Sequence, residues 1–134
     1  MPSKEVSSSR IEVPRRILCA EDNTLLADGL IVLFSRAGYI VDRADDGQQA
    51  WEKMARDIGY YDVLLTDNQM PRLNGLALVR RVRTANFRGR IVVHCSGLSA
   101  DEIDGYQALA VDWIVMKATQ PEELLRGVEI LTAA

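Results

Sequence analysis

A chain of 134 residues has room for one hydrophobic core and little more. Its 48% hydrophobic and 26% charged residues are the proportions of a globular domain and exclude a disordered chain. Sixteen basic against nineteen acidic residues give a net charge of -3, so no overall field draws the chain to nucleic acid or to an anionic membrane. Arg80, Arg81, Arg83, Arg88 and Arg90 form a local basic stretch that reads as a solvated helix end. No apolar stretch approaches the length of a membrane span and the N-terminus lacks a secretory pattern, so a cytoplasmic protein is expected. Cys19 and Cys95 both sit in apolar runs, as buried thiols do, and their spacing fits neither a zinc site nor a disulfide framework.

Residues 1–14, MPSKEVSSSRIEVP, read as a flexible tail or linker remnant, and the folded domain is expected over 15–134. From there apolar runs alternate with segments of helical period: ILCA, YIVDRA, VLLT, IVVHC and DWIVM, each followed by a helix. Five nearly all-apolar strands alternating with five helices predict a parallel sheet covered on both faces. The first helix carries its stripe on Leu26, Leu30, Leu33, Phe34 and Ala37, with Asn23 as N-cap and Gly38 as C-cap. Ser99 with Glu102 and Thr119 with Glu122 match the capping-box spacing, and Pro121 suits a first helical turn. Leu124, Leu125, Val128 and Leu131 give the last helix its buried face, and no output domain is expected after it. His94 and Trp51 read as packing residues, and Trp113 as either core or part of a partner surface.

In an open parallel sheet the site lies beyond the carboxyl ends of the strands. There strand one delivers Glu21 and Asp22, strand three Asp67, strand four Ser96 and strand five Lys117, while Asp45 and Asp46 after strand two have no evident role. Three carboxylates so close repel one another, each pair by about 4 kcal/mol at about 4 Å and an effective dielectric of about 20. Lys117 compensates one charge, and the remaining oxygen-rich set suits Mg²⁺, a hard ion that takes one or two carboxylates and a phosphate oxygen. Asp67 can then act as a nucleophile toward phosphorus, with the Ser96 hydroxyl and the Lys117 ammonium on phosphoryl oxygens.

The segments ILCAEDN, DNQMPRLNG, HCSG and VDWIVMK, in this order and spacing, make the chain resemble the receiver domain of two-component response regulators from about Arg15 to Leu131. The resemblance implies a flavodoxin-like, doubly wound sheet of order 2-1-3-4-5. It implies Asp67 as the acceptor of a phosphoryl group from a phosphohistidine on a histidine kinase or histidine phosphotransfer protein. By the same likeness Glu21, Asp22 and Asp67 hold Mg²⁺ with the backbone carbonyl of Gln69, and Ser96 and Lys117 engage the phosphoryl group. A downstream effector would dock on helix four, strand five and helix five, and relay or conformational change would carry the signal. Met70, Pro71 and Gly75 form the structural half of the motif.

The chain departs from that family in three places. Ala118 follows Lys117 where a proline with a cis bond is usual, and since a non-proline cis bond costs about 2.5 to 4 kcal/mol, a trans bond and a shifted loop are expected. Ile114 replaces the switch aromatic, and Trp113 beside it points to the opposite face of the sheet. Leu98, which with Gln69 borders the phosphoryl position, cannot orient an attacking water, so slow self-dephosphorylation is expected. A haloacid-dehalogenase-like phosphatase would need an acid where Gln69 stands, and a flavin site would be repelled by Glu21 and Asp22. The reading left beside the phosphoacceptor is a degenerate receiver that binds partners without phosphorylation.

Overall fold

The computed structural model describes residues 13–133. Five strands, β1 (Arg16–Ala20), β2 (Ile40–Ala44), β3 (Val63–Thr66), β4 (Arg90–Cys95) and β5 (Trp113–Met116), form one parallel sheet of order β2-β1-β3-β4-β5. Between and after them run α1 (Thr24–Arg36), α2 (Gly47–Arg56), α3 (Gly75–Thr84), α4 (Ala100–Ala108) and α5 (Pro121–Thr132). This is the expected doubly wound α/β fold. The tail predicted over 1–14 falls, apart from Val13 and Pro14, outside the described residues.

The strands read as continuous apolar runs because both faces of the sheet are covered. Alternate residues go to opposite layers: Leu18, Leu64, Ile91 and Val93 pack beneath α2, α3 and α4, whereas Ile17, Cys19, Val63, Leu65 and Val92 pack beneath α1 and α5. The same alternation divides β5, where Ile114 packs in the first layer and Trp113 and Val115 in the second. The two ends of the parallel order place all five carboxyl strand ends on one edge of the domain.

The caps follow the local chemistry with one exception. Asn23 accepts from the Leu26 amide at 3.0 Å, and Ser99 and Glu102 make both bonds of a capping box, at 3.1 and 2.8 Å. At α1 the C-cap is Ala37, and Gly38 follows it with φ of 97°. Thr119, predicted as the N-cap of α5, is not: the cap is Gln120, without a side-chain bond, while the Thr119 amide closes a turn onto the Met116 carbonyl at 2.9 Å. Pro121 is the reason, since it forces the residue before it into an extended conformation and so starts the helix one residue later than the spacing suggests. The Lys117–Ala118 bond is trans, as expected.

The basic stretch also differs from its reading. Arg80, Arg81 and Arg88 are exposed, but Arg83 donates to the carbonyls of Phe87, Leu109 and Ala110, and Arg90 to that of Leu131 and to Asp112. Two of the five arginines are therefore stitches between elements. Both cysteines are buried and free, and burial pushes the Cys19 thiol up to about 12.

Trp113 belongs to the core beneath α5, where its ring lies over Gly127. A Cβ there would fall 2.3 Å from two of its ring carbons. Gly127→Ala is therefore expected to lower the free energy of unfolding by about 1–3 kcal/mol, read from urea denaturation. His94 is buried, and burial, with the Lys117 charge acting in the same direction, lowers its pKa from 6.5 to about 4. Between those values the unfolded chain binds a proton that the folded chain refuses, so this contribution is complete above pH 6.5 and lost as pH falls toward about 4. His94→Leu is expected to flatten that limb of a stability-versus-pH curve.

Candidate functional site

Glu21, Asp67 and Lys117 are each the first residue beyond a strand, and the backbone of each still pairs with the neighbouring strand. The Glu21 amide donates to the Ala44 carbonyl at 3.1 Å, the Asp67 amide to that of Ala20 at 3.0 Å and the Lys117 amide to that of Cys95 at 2.7 Å. The sheet thus aims Glu21, Asp67 and Lys117 into one pocket. Lys117 Nζ lies 3.1 Å from Glu21 Oε1 and 2.8 Å from Asp67 Oδ2. The other oxygen of each acid is also engaged: Glu21 Oε2 accepts from the Asn23 amide at 3.1 Å, and Asp67 Oδ1 from the Asn68 amide at 2.7 Å.

Glu21 and Asp67 are 2% and 7% exposed, whereas Asp22 stands open to solvent. One oxygen from each of the three carboxylates lies within 4.8 Å of the others. Burial raises the Glu21 pKa, against the hydrogen bonds from Asn23 and Lys117. For Lys117, burial pulls the pKa down, but the bonds to Asp67 and Glu21 outweigh it and the net direction is upward. The ammonium therefore stays charged between two acids. Ser96 and Gln69 are both exposed on loops at this edge, outside that ion-paired set.

Reading the sequence missed four residues of the surroundings. Strand two, assigned no role, supplies Arg43, whose guanidinium donates to the Glu21 carbonyl at 3.0 and 3.2 Å and pairs with Asp45 at 3.4 Å. The acid loop is pinned from the adjacent strand. Asp46, equally without a role in the sequence, caps α2 by accepting from the Gln49 amide at 2.7 Å. Beside Arg43, the other three of the four are Asn68, Tyr106 and Glu102, the last read from the sequence as half of a cap but not as a partner of Asn68. Asn68 is 2% exposed; its amide nitrogen donates to Glu102 at 2.9 Å, and its oxygen accepts from the Tyr106 hydroxyl at 2.5 Å. Spacing puts Tyr106 on the helix face of Glu102, four residues on, but nothing in it points to Asn68.

Gly75 permits this crowding. A Cβ on it would fall 2.3 Å from the Asp67 carbonyl oxygen, 2.6 Å from the Tyr106 hydroxyl and 3.0 Å from Asn68 Cα, and its amide donates to the Asn68 carbonyl at 2.7 Å. Asn74 before it caps α3 by accepting from the Ala77 amide at 2.8 Å.

A family model for the response regulator receiver domain matches residues 17–129. The chain belongs to this family. It is 31% identical over 118 residues to the transcriptional regulatory protein DltR of Streptococcus agalactiae and 31% identical over 116 residues to the response regulator ArlR of Staphylococcus aureus. Each match covers 87% of this chain but only 51% and 52% of the relative, so the chain spans about half the length of these proteins. The chemotaxis protein CheY4 of Vibrio cholerae shares the fold, with a TM-score of 0.80 at 23% identity over 89% of this chain and 99% of that one. A CheY-like receiver domain from Methanospirillum hungatei gives a TM-score of 0.83 at 19% identity, covering 88% and 93%.

Receiver domains take Mg²⁺ at an acidic pocket, and the group here fits such an ion: three carboxylates, hard oxygen donors only, one of them open to solvent for exchange of water. Mg²⁺ is expected to raise the thermal midpoint, the added stability reaching about 1.4 kcal/mol at about ten times the Kd. Asp22→Asn removes a repelling charge, so without metal it is expected to be slightly more stable than the parent, and with Mg²⁺ to gain much less. Thermal scans across a Mg²⁺ series read both effects.

Proposed function

We propose that this receiver domain, over residues 15–134 with 1–14 as a tail or linker, takes a phosphoryl group onto Asp67 from a histidine kinase or a histidine phosphotransfer protein. The observation that supports the reading is the placement of the Lys117 ammonium against Asp67 Oδ2 and Glu21 Oε1, at the end of a rigid sheet and beside an exposed acid. In the step, an oxygen of the Asp67 carboxylate forms the new P–O bond. The P–N bond of the phosphohistidine breaks, and its electron pair returns to the imidazole ring.

Glu21, Asp22 and Asp67, with the backbone carbonyl of Gln69, would hold Mg²⁺, which supplies positive charge against the phosphoryl oxygens. The protein's own groups do the rest. Lys117 offers its ammonium to one phosphoryl oxygen, and the Ser96 hydroxyl, exposed and so able to turn inward, donates to another. The Asn68 amide and Arg43 keep the acceptor and the acid loop in register. Asp67 exchanges one negative charge for about two, and the surface formed by α4, β5 and α5 reads this out to an effector or hands the group onward. Ile103 and Met116, 36% and 45% exposed, are the apolar contacts offered on α4 and β5. The site catalyses its own Mg²⁺-dependent phosphorylation and dephosphorylation and no separate turnover. A cytoplasmic location goes with a cytoplasmic donor; among the described residues no helix is long and apolar enough to cross a membrane.

The test is intact mass after incubation with Mg²⁺ and a small acyl phosphate, beside Asp67→Asn. One phosphoryl addition on the parent and none on the variant is expected. Neither addition nor Mg²⁺ binding would leave the degenerate, partner-binding receiver. A time course after removal of the donor is expected to show slow loss of the group, since Leu98 is half-buried against the core and offers no polar atom to a water.

A further inference from the structure

Helix α4 is held to the domain in an uneven way. Tyr106 is its only fully buried residue, a glycine, Gly105, interrupts it, and Asp101, Asp104 and Gln107 are exposed. A short helix with one buried anchor and an internal glycine lies at the low end of local stability. Polar attachments supplement that anchor: Arg83 of α3 holds the C-cap carbonyl of Leu109 at 2.9 Å, and two others, at the start and the middle of the helix, end on one side chain. The Tyr106 hydroxyl donates to Asn68 Oδ1, and Asn68 Nδ2 donates to Glu102 Oε2 at 2.9 Å. The second oxygen of Glu102 accepts from the Ser99 amide at 2.8 Å, closing the N-terminal cap of the same helix. The start and the middle of α4 are both tied to Asn68.

Asn68 in turn is tied to the acceptor. Its amide donates to Asp67 Oδ1 at 2.7 Å, while Lys117 donates to Oδ2 at 2.8 Å, so the two bonds together set the plane of the carboxylate. A group added at Oδ1 displaces the Asn68 amide, and one added at Oδ2 displaces Lys117 and frees the carboxylate to turn about its remaining bond, so either way the bond from the 67–68 peptide is altered. The peptide has little freedom to do so without its neighbours, because the Asn68 carbonyl accepts from Gly75 and the side chain is 2% exposed with both polar ends engaged. Breaking one of those buried bonds leaves an unsatisfied polar group, which makes the alternatives discrete rather than graded.

We propose that Asn68, Tyr106 and Glu102 are the link that carries the state of the Asp67 carboxylate to α4, with Tyr106 and Asn68 as positioning residues rather than catalytic ones. In the unmodified protein the link holds α4 down by its hydroxyl and its cap. A phosphoryl group on Asp67 redirects the Asn68 amide, shifts the side chain behind it and loosens or re-seats α4. The hydroxyl comes from α4 itself, and Ile114 of β5 packs in the same layer as Tyr106 without a polar atom to compete for Asn68. The inference rests on the phosphoacceptor reading of Asp67 and adds to it the route by which the modification is felt.

Hydrogen exchange read by mass spectrometry on the full chain tests it, with and without Mg²⁺ and a small acyl phosphate, for the parent, Tyr106→Phe and Glu102→Gln. Phenylalanine keeps the buried ring, and glutamine can serve the cap or Asn68 but not both. Intact mass on the same samples reports phosphoryl uptake. In the parent, phosphorylation is expected to change exchange across residues 100–108. In Tyr106→Phe, with uptake equal to the parent's, the difference between the two states is expected to shrink roughly 2- to 10-fold, the factor that one net hydrogen bond represents in an equilibrium. Glu102→Gln should shrink it in the same direction. A merely structural role for Tyr106 would raise exchange equally in both states and leave their difference intact, which would overturn the link. So would an unchanged α4 in a phosphorylated parent. If the parent takes up no phosphoryl group at all, the acceptor reading fails and the link falls with it.

Discussion

Three backbone hydrogen bonds that run one residue past the strands hold the site together: Glu21 to Ala44, Asp67 to Ala20 and Lys117 to Cys95. Each belongs to the parallel ladder, whose evenly spaced bonds fix where every strand stops relative to its neighbour. A shift of one residue in any of them would turn the side chain to the opposite face of the sheet. The apolar runs that precede the three residues prevent such a shift, because Leu18, Leu64 and Ile114 would exchange layers with Ile17, Leu65 and Val115. Burial in two layers thus positions charges that themselves oppose burial.

Those charges are costly in isolation. Glu21 and Asp67 are nearly closed off from water, and removing an ion from water without a partner costs several kcal/mol, on the order of 5. Lys117 relieves both at once, with Asn23 and Asn68 amides taking the oxygens that remain. The resulting group is one positive charge against three negative ones, with the third acid facing solvent. It is paired well enough to fold and still short of positive charge, which is the condition for taking up a cation and then an anionic phosphoryl group.

The α4 side of the molecule shows what the same economy of buried polar groups does at a distance. Asn68 could have been a hydrophobe filling the space beneath α3 and α4. As an asparagine it must find partners, and the partners available are a hydroxyl and a carboxylate from one marginal helix. Gly75 makes room for the meeting by omitting a single carbon atom. The consequence is that a helix with little apolar attachment of its own is tied at its start and middle to the residue beside the acceptor.

The alternation of apolar runs with helical periods, and the acids, serine and lysine that end those runs, were legible without coordinates. They fix the parallel sheet, its element count and the residues that stand at its carboxyl edge, because periodicity and strand-end position are local properties of a chain. Ser99 and Glu102 were legible as a cap for the same reason, while Thr119 failed because Pro121 overrode spacing one residue later. Arg43, Asn68 and Tyr106 were not legible. Their roles depend on contacts across 22 and 38 positions of chain, Arg43 with Glu21 and Tyr106 with Asn68, which exist only once strands and helices are stacked. The sequence by itself determined which charges reach the edge of the sheet; the tertiary structure decided what holds them there and what they hold, because a hydrogen bond between distant residues has no period to announce it.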